Sequence, residues 1–363
     1  MADRRWLAAG ALGVLGGVLL LAPAVSAASW WTPVRAAPAG LTQVASNSTS
    51  PTLAIVNGSA GWLWVSTGRY RPAGISRAAA VAASGSSGLV LRTDGQLMKV
   101  QLGARPELLQ TLPGRAVGLV IGAGPVAVVA TSRGLFEGRL NGGLRPVALD
   151  GEPPLALAGA VAPRRALAVA TESGVYFLQP GARPILSPGS PRLGSGAFLA
   201  ELGDGVVLAT SGSGLVWGLY RDGWQPAFQL LPEGGLGGVP RITALAAVSG
   251  SAAYLATAGF GTLLTPDGGY SWYRAAPAGP APVLALATSG PVMARRPSGN
   301  VLAVTTAGLF LHRLRALPAP PVYAGRRGLG ELAGTAVVTI LAAALVVALM
   351  FAWRRHRGRG VFV

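Results

Sequence analysis

The side chains that most often carry out chemistry in proteins are scarce in this chain. Its 363 residues include no cysteine and only two histidines, His312 and His356. The absence of cysteine excludes disulfides, thiolate nucleophiles and thiolate metal ligands. His312 falls in a predicted strand and His356 in a predicted tail, so the two cannot combine in a metal site or in acid–base catalysis. We therefore predict no metal and no cofactor.

Paired carboxylates are the remaining candidates for acid–base chemistry. Asp150 lies two residues from Glu152, and Glu201 lies three residues from Asp204. Both pairs sit between predicted strands, where acidic side chains are usually solvated. We interpret all four as solvated loop residues.

A sialidase-like glycoside hydrolase is the alternative function that the sequence leaves open. Such an enzyme would need arginines around a central axis, an acidic catalyst, and a tyrosine paired with a carboxylate. Tyr176 lies close to Glu172, and Tyr220 lies close to Asp222, but neither pair falls in a matching motif. The residues favour a protein that is not an enzyme.

A strand–turn–strand sequence motif recurs along the chain that carries these residues. One copy reads VVATSRGLF at Val128–Phe136. Five copies place their turn glycines 40, 40, 47 and 47 residues apart, at Gly134, Gly174, Gly214, Gly261 and Gly308. This is close to the period of a four-stranded propeller blade. With 51% hydrophobic residues and 53 glycines, the chain is typical of one large all-β domain. We predict a seven-bladed β-propeller over residues 28–315, with a compressed first blade from about Pro51 to Ser76.

A proline marks the expected outermost strand of most blades. It follows an arginine in four copies and a glutamine in a fifth, at Pro72, Pro106, Pro146, Pro184 and Pro226. Proline has no amide hydrogen to donate and is confined to edge strands, strand starts or bulges. These prolines therefore indicate the fourth strand of each blade.

The sixth predicted blade carries a different turn, with the sequence TPDGGYSW at Thr265–Trp272. Thr265, Asp267, Gly269, Ser271 and Trp272 match all five defined positions of the pattern S/T-x-D-x-G-x-S/T-W. This turn resembles the Asp-box of the bacterial neuraminidase repeat family. The resemblance implies that the Asp and Gly residues stabilise a tight turn between the third and fourth strands, while the Trp packs into the blade. It extends to non-catalytic propellers, among them photosystem II assembly factors and sortilin-type receptors.

The seventh blade appears in the sequence with only three strands, which end at Leu309–Arg315 before a run of prolines. The missing strand is available near the start of the chain, because SWWTPVRAAPAG at 29–40 parallels SWYRAAPAG at 271–279. We predict that this first segment pairs with Leu309–Arg315 and closes the ring. Strands alternate in direction within a blade, so both chain ends would leave from one face.

Both ends of the chain resemble membrane segments. Residues 1–27 combine Arg4 and Arg5 with an apolar stretch and a small-residue site, which predicts a signal peptide or an uncleaved anchor. After a Pro/Gly-rich linker at 316–331, residues 332–353 contain no charge, and this length of helix spans a bilayer. The basic tail at 354–363 predicts a cytoplasmic C-terminus. The chain is thus expected to be a single-pass protein of the cell membrane with an extracytoplasmic propeller.

Basic residues outnumber acidic ones, with 30 Lys and Arg residues against 13 Asp and Glu. We assign Arg164, Arg165, Arg295 and Arg296 to turns on the membrane-side face. Basic side chains near anionic headgroups gain about 1 kcal/mol each, which predicts contact with anionic lipid. A compositional bias towards arginine, with solvated side chains, is the alternative. On the opposite face, acidic residues are interspersed with arginines, at Arg77, Arg115, Arg133, Arg192 and Arg241.

The sequence therefore predicts a non-enzymatic binding or assembly scaffold. Its partners would be the membrane and an unknown protein or glycan ligand, and not a nucleic acid. Fold alone does not give function.

Overall fold

The computed structural model describes residues 31–45, 51–122, 126–140, 142–159, 166–202, 205–230, 241–248, 250–258, 261–275, 281–289 and 299–314. Within these ranges the chain forms seven antiparallel sheets of four strands each. The all-β, seven-bladed propeller predicted from the sequence is confirmed.

Each blade contributes one innermost strand to a ring around a central axis, and each innermost strand contacts those of the neighbouring blades. In chain order from blade 1 to blade 7, these are β2 (Leu41–Val44), β6 (Ala78–Ser84), β10 (Ala116–Ile121), β14 (Ala156–Ala158), β18 (Phe198–Glu201), β22 (Ile242–Ala247) and β26 (Val283–Ser289). The second strands are β3 (Thr52–Val56), β7 (Ser87–Arg92), β11 (Val126–Thr131), β15 (Leu167–Ala170), β19 (Val207–Thr210), β23 (Ala253–Thr257) and β27 (Gly299–Thr305).

The outer half of each blade consists of a third and a fourth strand. The third strands are β4 (Ser59–Trp64), β8 (Gln96–Gln101), β12 (Gly134–Arg139), β16 (Val175–Leu178), β20 (Leu215–Tyr220), β24 (Gly261–Thr265) and β28 (Gly308–Leu314). The outermost strands, from blade 1 to blade 7, are β5 (Arg69–Ile75), β9 (Glu107–Thr111), β13 (Gly143–Val147), β17 (Ile185–Leu186), β21 (Gly223–Gln229), β25 (Tyr273–Ala275) and β1 (Trp31–Pro33).

The recurring sequence motif corresponds to the second strand of a blade, a tight turn and the third strand. Its threonine lies at or just after the end of the second strand and is almost fully buried in all five copies. In three copies, at Thr131, Thr210 and Thr305, the hydroxyl oxygen accepts a hydrogen bond from the backbone N–H two residues later. Thr131 accepts from Arg133 at 3.2 Å, and Thr305 accepts from Ala307 at 3.1 Å. The side chain therefore satisfies a turn donor that the ladder leaves unpaired, which explains why threonine recurs at this position.

Strand β1 closes the ring as the sequence predicted. It pairs antiparallel with β28 in the register Trp31↔His312, Thr32↔Leu311 and Pro33↔Phe310. The Val34 N–H extends the ladder by donating to the Leu309 carbonyl at 2.9 Å. Because β1 begins where β28 ends, the chain enters β1 and leaves β28 on the same face.

Blade 1 differs from its prediction. It is a complete four-stranded blade whose innermost strand is β2, so it begins at Leu41 and not near Pro51. Strand β2 has four residues and includes the polar Thr42 and Gln43, so it lacks the apolar run that marks the other innermost strands. Its place is fixed by pairing with β3.

Both sides of each blade are buried against a neighbouring blade, which is why the strands read as continuous apolar runs rather than alternating ones. In β11, Val128, Val129 and Ala130 are all fully buried. Val129 packs towards blade 2, whereas Val128 and Ala130 pack towards blade 4.

The predicted signal segment, linker, transmembrane helix and basic tail, at residues 1–27, 316–331, 332–353 and 354–363, lie outside the described residues. Among the described residues, none belongs to a helix with the length and apolar character needed to cross a membrane.

Candidate functional site

The turn between β24 and β25 of blade 6 is organised by the Asp267 carboxylate. Its Oδ1 accepts hydrogen bonds from the Ser271 N–H at 2.8 Å and the Thr265 hydroxyl at 2.9 Å, and its Oδ2 accepts from the Ser271 hydroxyl at 2.5 Å. The Gly269 N–H donates to Thr265 Oγ1 at 2.7 Å. These residues thus form one local network that fixes the turn. Burial, reinforced by the Asp267 charge, raises the pKa of the adjacent Tyr273 to about 12.

The same turn joins blade 6 to blade 5. The Trp272 indole N–H donates to the Gly269 carbonyl at 3.1 Å, and its ring stacks on Phe228 of β21 with centroids 5.5 Å apart. Gly269 has a φ of +97°, and a Cβ there would lie 2.9 Å from both Leu208 and Tyr220 of blade 5. These contacts give the turn a structural role between blades.

The arginines predicted on the membrane-side face, Arg164, Arg165, Arg295 and Arg296, lie outside the described residues. On the opposite face, three exposed arginines occupy equivalent positions, each immediately before an innermost strand. Arg77, Arg115 and Arg241 precede β6, β10 and β22 in blades 2, 3 and 6.

A shared backbone hydrogen bond establishes that equivalence. The carbonyls of Arg77, Arg115 and Arg241 each accept, at 2.8 Å, from the first N–H after the second strand of the same blade, and Gly40 of blade 1 does so at 2.9 Å. Sequence reasoning placed these arginines on one face. It did not recognise a common position, because the links before them differ in sequence.

A fourth exposed arginine, Arg133, lies beside Arg115. It belongs to the turn between β11 and β12, and the neighbouring Ser132 hydroxyl accepts from the Arg115 N–H at 2.9 Å. A Cβ at Gly114, which has a φ of +88°, would lie 2.8 Å from Arg133 Cγ. Glycine therefore leaves the space in which Arg133 lies against the link that holds Arg115.

The first candidate carboxylate pair stabilises surface loops. Glu152 accepts from the Ser173 N–H at 3.1 Å, and hydrogen bonds from Ser173 and Thr171 lower the pKa of Glu152. Asp150 pairs with the exposed Arg183 at 3.0 Å. The two carboxylates bind different partners and do not form a catalytic pair.

Glu201 corrects the prediction that it is a solvated loop residue. It is the last residue of the innermost strand β18 and is only 9% exposed. Its side chain packs against Gly159 of blade 4, where a Cβ would lie 1.9 Å from Glu201 Oε2. Its predicted companion Asp204 lies outside the described residues. In the part of the chain that the structure describes, no three His, Asp or Glu side chains are grouped to hold a metal ion.

A cavity of about 410 Å³ opens at the outer rim between blades 2 and 3. Its lining includes Lys99, Leu108 and Arg139. Gln110 crosses from β9 to β13, where its side chain accepts from the Leu144 N–H at 2.9 Å and donates to the Leu144 carbonyl at 3.3 Å. The cavity therefore combines aliphatic walls with two cations and the carboxylate of Glu107, which lies 3.9 Å from the Lys99 ammonium. Its lining offers no hydroxyl, thiol or imidazole nucleophile.

Comparison with known proteins supports the fold only. No protein-family model matches the chain, and no curated protein matches it. Among solved structures, it is similar to YCF48 bound to a D1 peptide, with 14% identity, 80% of this chain and 96% of that chain covered, and a TM-score of 0.58.

Two other similar structures show how varied the proteins with this fold are. The RRP9 WD40 repeats share 13% identity over 78% of this chain and 97% of that chain, with a TM-score of 0.60. Streptogramin B lyase shares 10% identity over 77% of this chain and 96% of that chain, with a TM-score of 0.59. Because a lyase has the same fold, the fold does not decide between enzyme and scaffold.

Proposed function

We propose that this protein is a membrane-anchored, extracytoplasmic β-propeller that acts as a non-enzymatic binding or assembly scaffold. One helix at 332–353 would hold it in the cell membrane, with the basic tail in the cytoplasm. The turn at Thr265–Trp272 would make it a propeller of the Asp-box type, since its hydrogen bonds are those that the resemblance implies.

The observation that carries this proposal is the position of the ring closure. Strand β1 begins and β28 ends on the same face, and we infer that residues 316–363 continue from that face. The links into the innermost strands lie on the opposite face. This arrangement suits a domain that is tethered on one side and contacts a partner on the other.

Two further points support a binding role. The similar YCF48 structure holds a D1 peptide, so a propeller of this shape accommodates a peptide partner. Three of the described carboxylates also serve local structural contacts: Asp267 and Glu152 hold turns, and Asp150 pairs with Arg183.

On the tethered face, we propose that Arg164, Arg165, Arg295 and Arg296 lie near anionic lipid. Basic side chains close to a negatively charged leaflet gain about 1 kcal/mol each at low salt. Changing all four to Gln should weaken binding of the propeller to anionic vesicles and leave its melting temperature unchanged. Equal binding to neutral vesicles would favour the compositional explanation for these arginines.

The scaffold role is tested by comparing two tagged chains purified from membranes in mild detergent. One is the full chain, and the other keeps residues 1–28 and 316–363 but lacks the propeller. We expect a reproducible set of proteins to accompany only the full chain, and a reporter fused after Val363 to be active only in the cytoplasm. Identical sets from both chains, or propeller-dependent turnover of a fluorogenic glycoside, would contradict the proposal.

A further inference from the structure

We propose that Arg77, Arg115, Arg133 and Arg241, which we call the arginine mouth, bind an acidic peptide segment of the partner protein. The recognition would consist of guanidinium–carboxylate pairs, which are directional and often bidentate. This inference rests on the proposed scaffold function and specifies the chemistry of its partner.

The first argument is position. Arg77, Arg115 and Arg241 each stand directly before an innermost strand, so their backbones lie next to the central axis, on the face opposite the start of β1 and the end of β28. The 2.8 Å hydrogen bond to each arginine carbonyl ties it to the turn after the second strand of its own blade. The backbone is thus held in place while the side chain is exposed, which reduces the ordering cost of binding.

The second argument is that Arg133 adds to the same cluster. Gly114 lets its side chain lie against the link before Arg115, so two guanidinium groups of blade 3 are carried on adjacent loops. Arg77 lies in the next blade and contributes a third positive charge to this sector. Grouping like charges costs folding energy through repulsion, and an anionic ligand would relieve that repulsion.

The third argument is that the cluster lacks internal neutralisation. Within the described residues, no member of the arginine mouth belongs to an ion pair. The nearby acid Asp94 is already held by Arg92 at 3.0 Å and accepts from the Gln96 N–H at 3.2 Å. Arg192 differs, because its charge acts on Glu152, and we exclude it from the mouth.

The arrangement favours an acidic peptide over other anions. A lipid surface lies on the wrong side, because the mouth faces away from the chain ends and so from the predicted membrane helix. The arginines also stand in two sectors, with Arg241 in blade 6 and the others in blades 2 and 3. Separated sectors suit a flexible peptide with spaced carboxylates better than a nucleic acid backbone, whose phosphates follow a continuous track.

The test uses the full chain in a neutral detergent and a fluorescent peptide rich in Glu and Asp. The test variant changes Arg77, Arg115 and Arg133 to Gln. A matched control changes Arg71, Arg105 and Arg145, exposed residues on or beside the outermost strands, with the same loss of charge. A peptide carrying Gln and Asn in place of the acids measures binding that does not depend on charge.

We expect the test variant to bind the acidic peptide about tenfold more weakly, since three exposed pairs each contribute modestly, and the control variant to bind as the parent chain does. Raising the salt from about 0.1 M to about 1 M, which shortens the screening length from about 10 Å to about 3 Å, should abolish most of the difference. Thermal melting should not fall in either variant, and the relief of charge repulsion should leave the test variant at least as stable as the parent chain.

Three results would overturn the inference: equal losses in the two variants, equal binding of the neutral peptide, or tighter mouth-dependent binding of anionic vesicles or of a DNA duplex than of the acidic peptide. The scaffold proposal is judged separately, by whether partners accompany the propeller from membranes. If they do so undiminished with the test variant, the arginine mouth is wrong and the scaffold proposal stands. If no partner depends on the propeller, the scaffold proposal fails, even if the acidic peptide binds.

Discussion

Two of the packed contacts between neighbouring blades, which we call seams, are built from different kinds of side chain. Between blades 2 and 3, the buried core of the contact is apolar, with residues such as Leu89, Leu91, Val129 and Phe136 packed together. Between blades 6 and 7, the seam contains Trp31, Tyr254 and His312, whose rings meet at centroid distances of 5.5–5.8 Å.

The difference follows from which parts of the chain provide the strands on the two sides of each seam. Both blades of the first seam come from one continuous stretch, so every outer strand follows its neighbour through a turn. Blade 7 instead takes its outermost strand, with three paired residues, from the other end of the chain. A strand this short gains little from its ladder alone. Burial of Trp31, which is 2% exposed and contacts both Tyr254 of blade 6 and His312 of blade 7, holds it in place.

The largest effect should come from removing the closing strand. Deleting Trp31–Arg35 exposes the edge of β28 and uncovers the aromatic seam, which should remove most of the roughly 5–15 kcal/mol that stabilises a domain of this kind. We expect aggregation or loss of cooperative melting in circular dichroism. A chain lacking only residues 28–30 serves as the control and should melt like the parent; a deletion variant that also melts like the parent would show that the seam does not depend on β1.

A single substitution at the seam should have the next largest effect. Trp31→Ala should cost about 3–5 kcal/mol in the free energy of unfolding, because it leaves a large cavity. Trp31→Phe should cost less, since the indole Nε1 has no hydrogen-bond partner within the described residues. Thr32→Ala, on the exposed side of β1, is the matched control. Urea titration gives all three free energies of unfolding. Equal losses for Trp31→Ala and Thr32→Ala would mean that burial of Trp31 does not hold β1 in place.

The seam between blades 5 and 6 gives a smaller contrast. Asp267→Ala removes the acceptor for three hydrogen bonds and should cost about 2 kcal/mol. Asp222→Ala, in the corresponding but shortened turn of blade 5, changes an exposed carboxylate and should cost less than about 0.5 kcal/mol. Denaturant midpoints of the two variants decide this, and equal shifts would mean that the Asp267 network does not stabilise the turn.

The smallest predicted effect is a pH dependence at the closure seam. Burial lowers the pKa of His312, and its Nδ1 lies 2.7 Å from the Tyr254 hydroxyl. Burial also raises the pKa of Tyr254, so this hydroxyl stays protonated and can donate to the neutral ring. Above the unfolded-state pKa of about 6.5, the His312 ring is neutral in both the folded and the unfolded state, so His312 does not lower the free energy of unfolding there.

As the pH falls from about 6.5 towards the lower folded pKa, the unfolded state binds the proton first and stability declines. His312→Gln should flatten this part of the curve of unfolding free energy against pH. The apolar seam between blades 2 and 3 contains no such group, so Leu91→Val should lower stability while keeping the slope. A His312→Gln curve with the parental slope would assign the pH dependence to other groups.

The sequence predicted the repeated parts of the fold well and its irregular parts poorly. The turn glycines and the prolines recur because each blade needs the same tight turn and the same edge strand, so their period revealed seven blades. The closing strand was also readable, since the segment at 29–40 repeats the pattern at 271–279. Strand β2 was missed because it is short and partly polar, and only its pairing with β3 identifies it.

The candidate site was less predictable because it depends on contacts between distant residues. Glu201 follows an apolar stretch and precedes a Gly-rich turn, which is typical of a loop residue. Its burial depends on Gly159 in the neighbouring blade, a relation that no local pattern contains. Likewise, Arg77, Arg115 and Arg241 follow unrelated link sequences, and only the shared backbone hydrogen bond shows that they are equivalent.

The most direct test of ring closure uses the absence of cysteine from the chain. Pro33 and Phe310 are register partners, adjacent to the hydrogen bond between Val34 and Leu309. Their non-hydrogen-bonded position brings the Cα atoms to about 4.5 Å, within disulfide range. We predict that Pro33→Cys with Phe310→Cys oxidises readily in the folded protein and raises its stability by roughly 2–4 kcal/mol, measured in urea with and without reductant.

The matched pair, Thr32→Cys with Phe310→Cys, is shifted by one residue and places the two thiols on opposite sides of the sheet. It should remain reduced under the same conditions, as judged by thiol labelling and mass spectrometry of the peptides. Efficient bridging of Pro33→Cys with Phe310→Cys and none of the shifted pair is the result that ring closure by β1 predicts. Equal bridging of both pairs, or of neither, would contradict it.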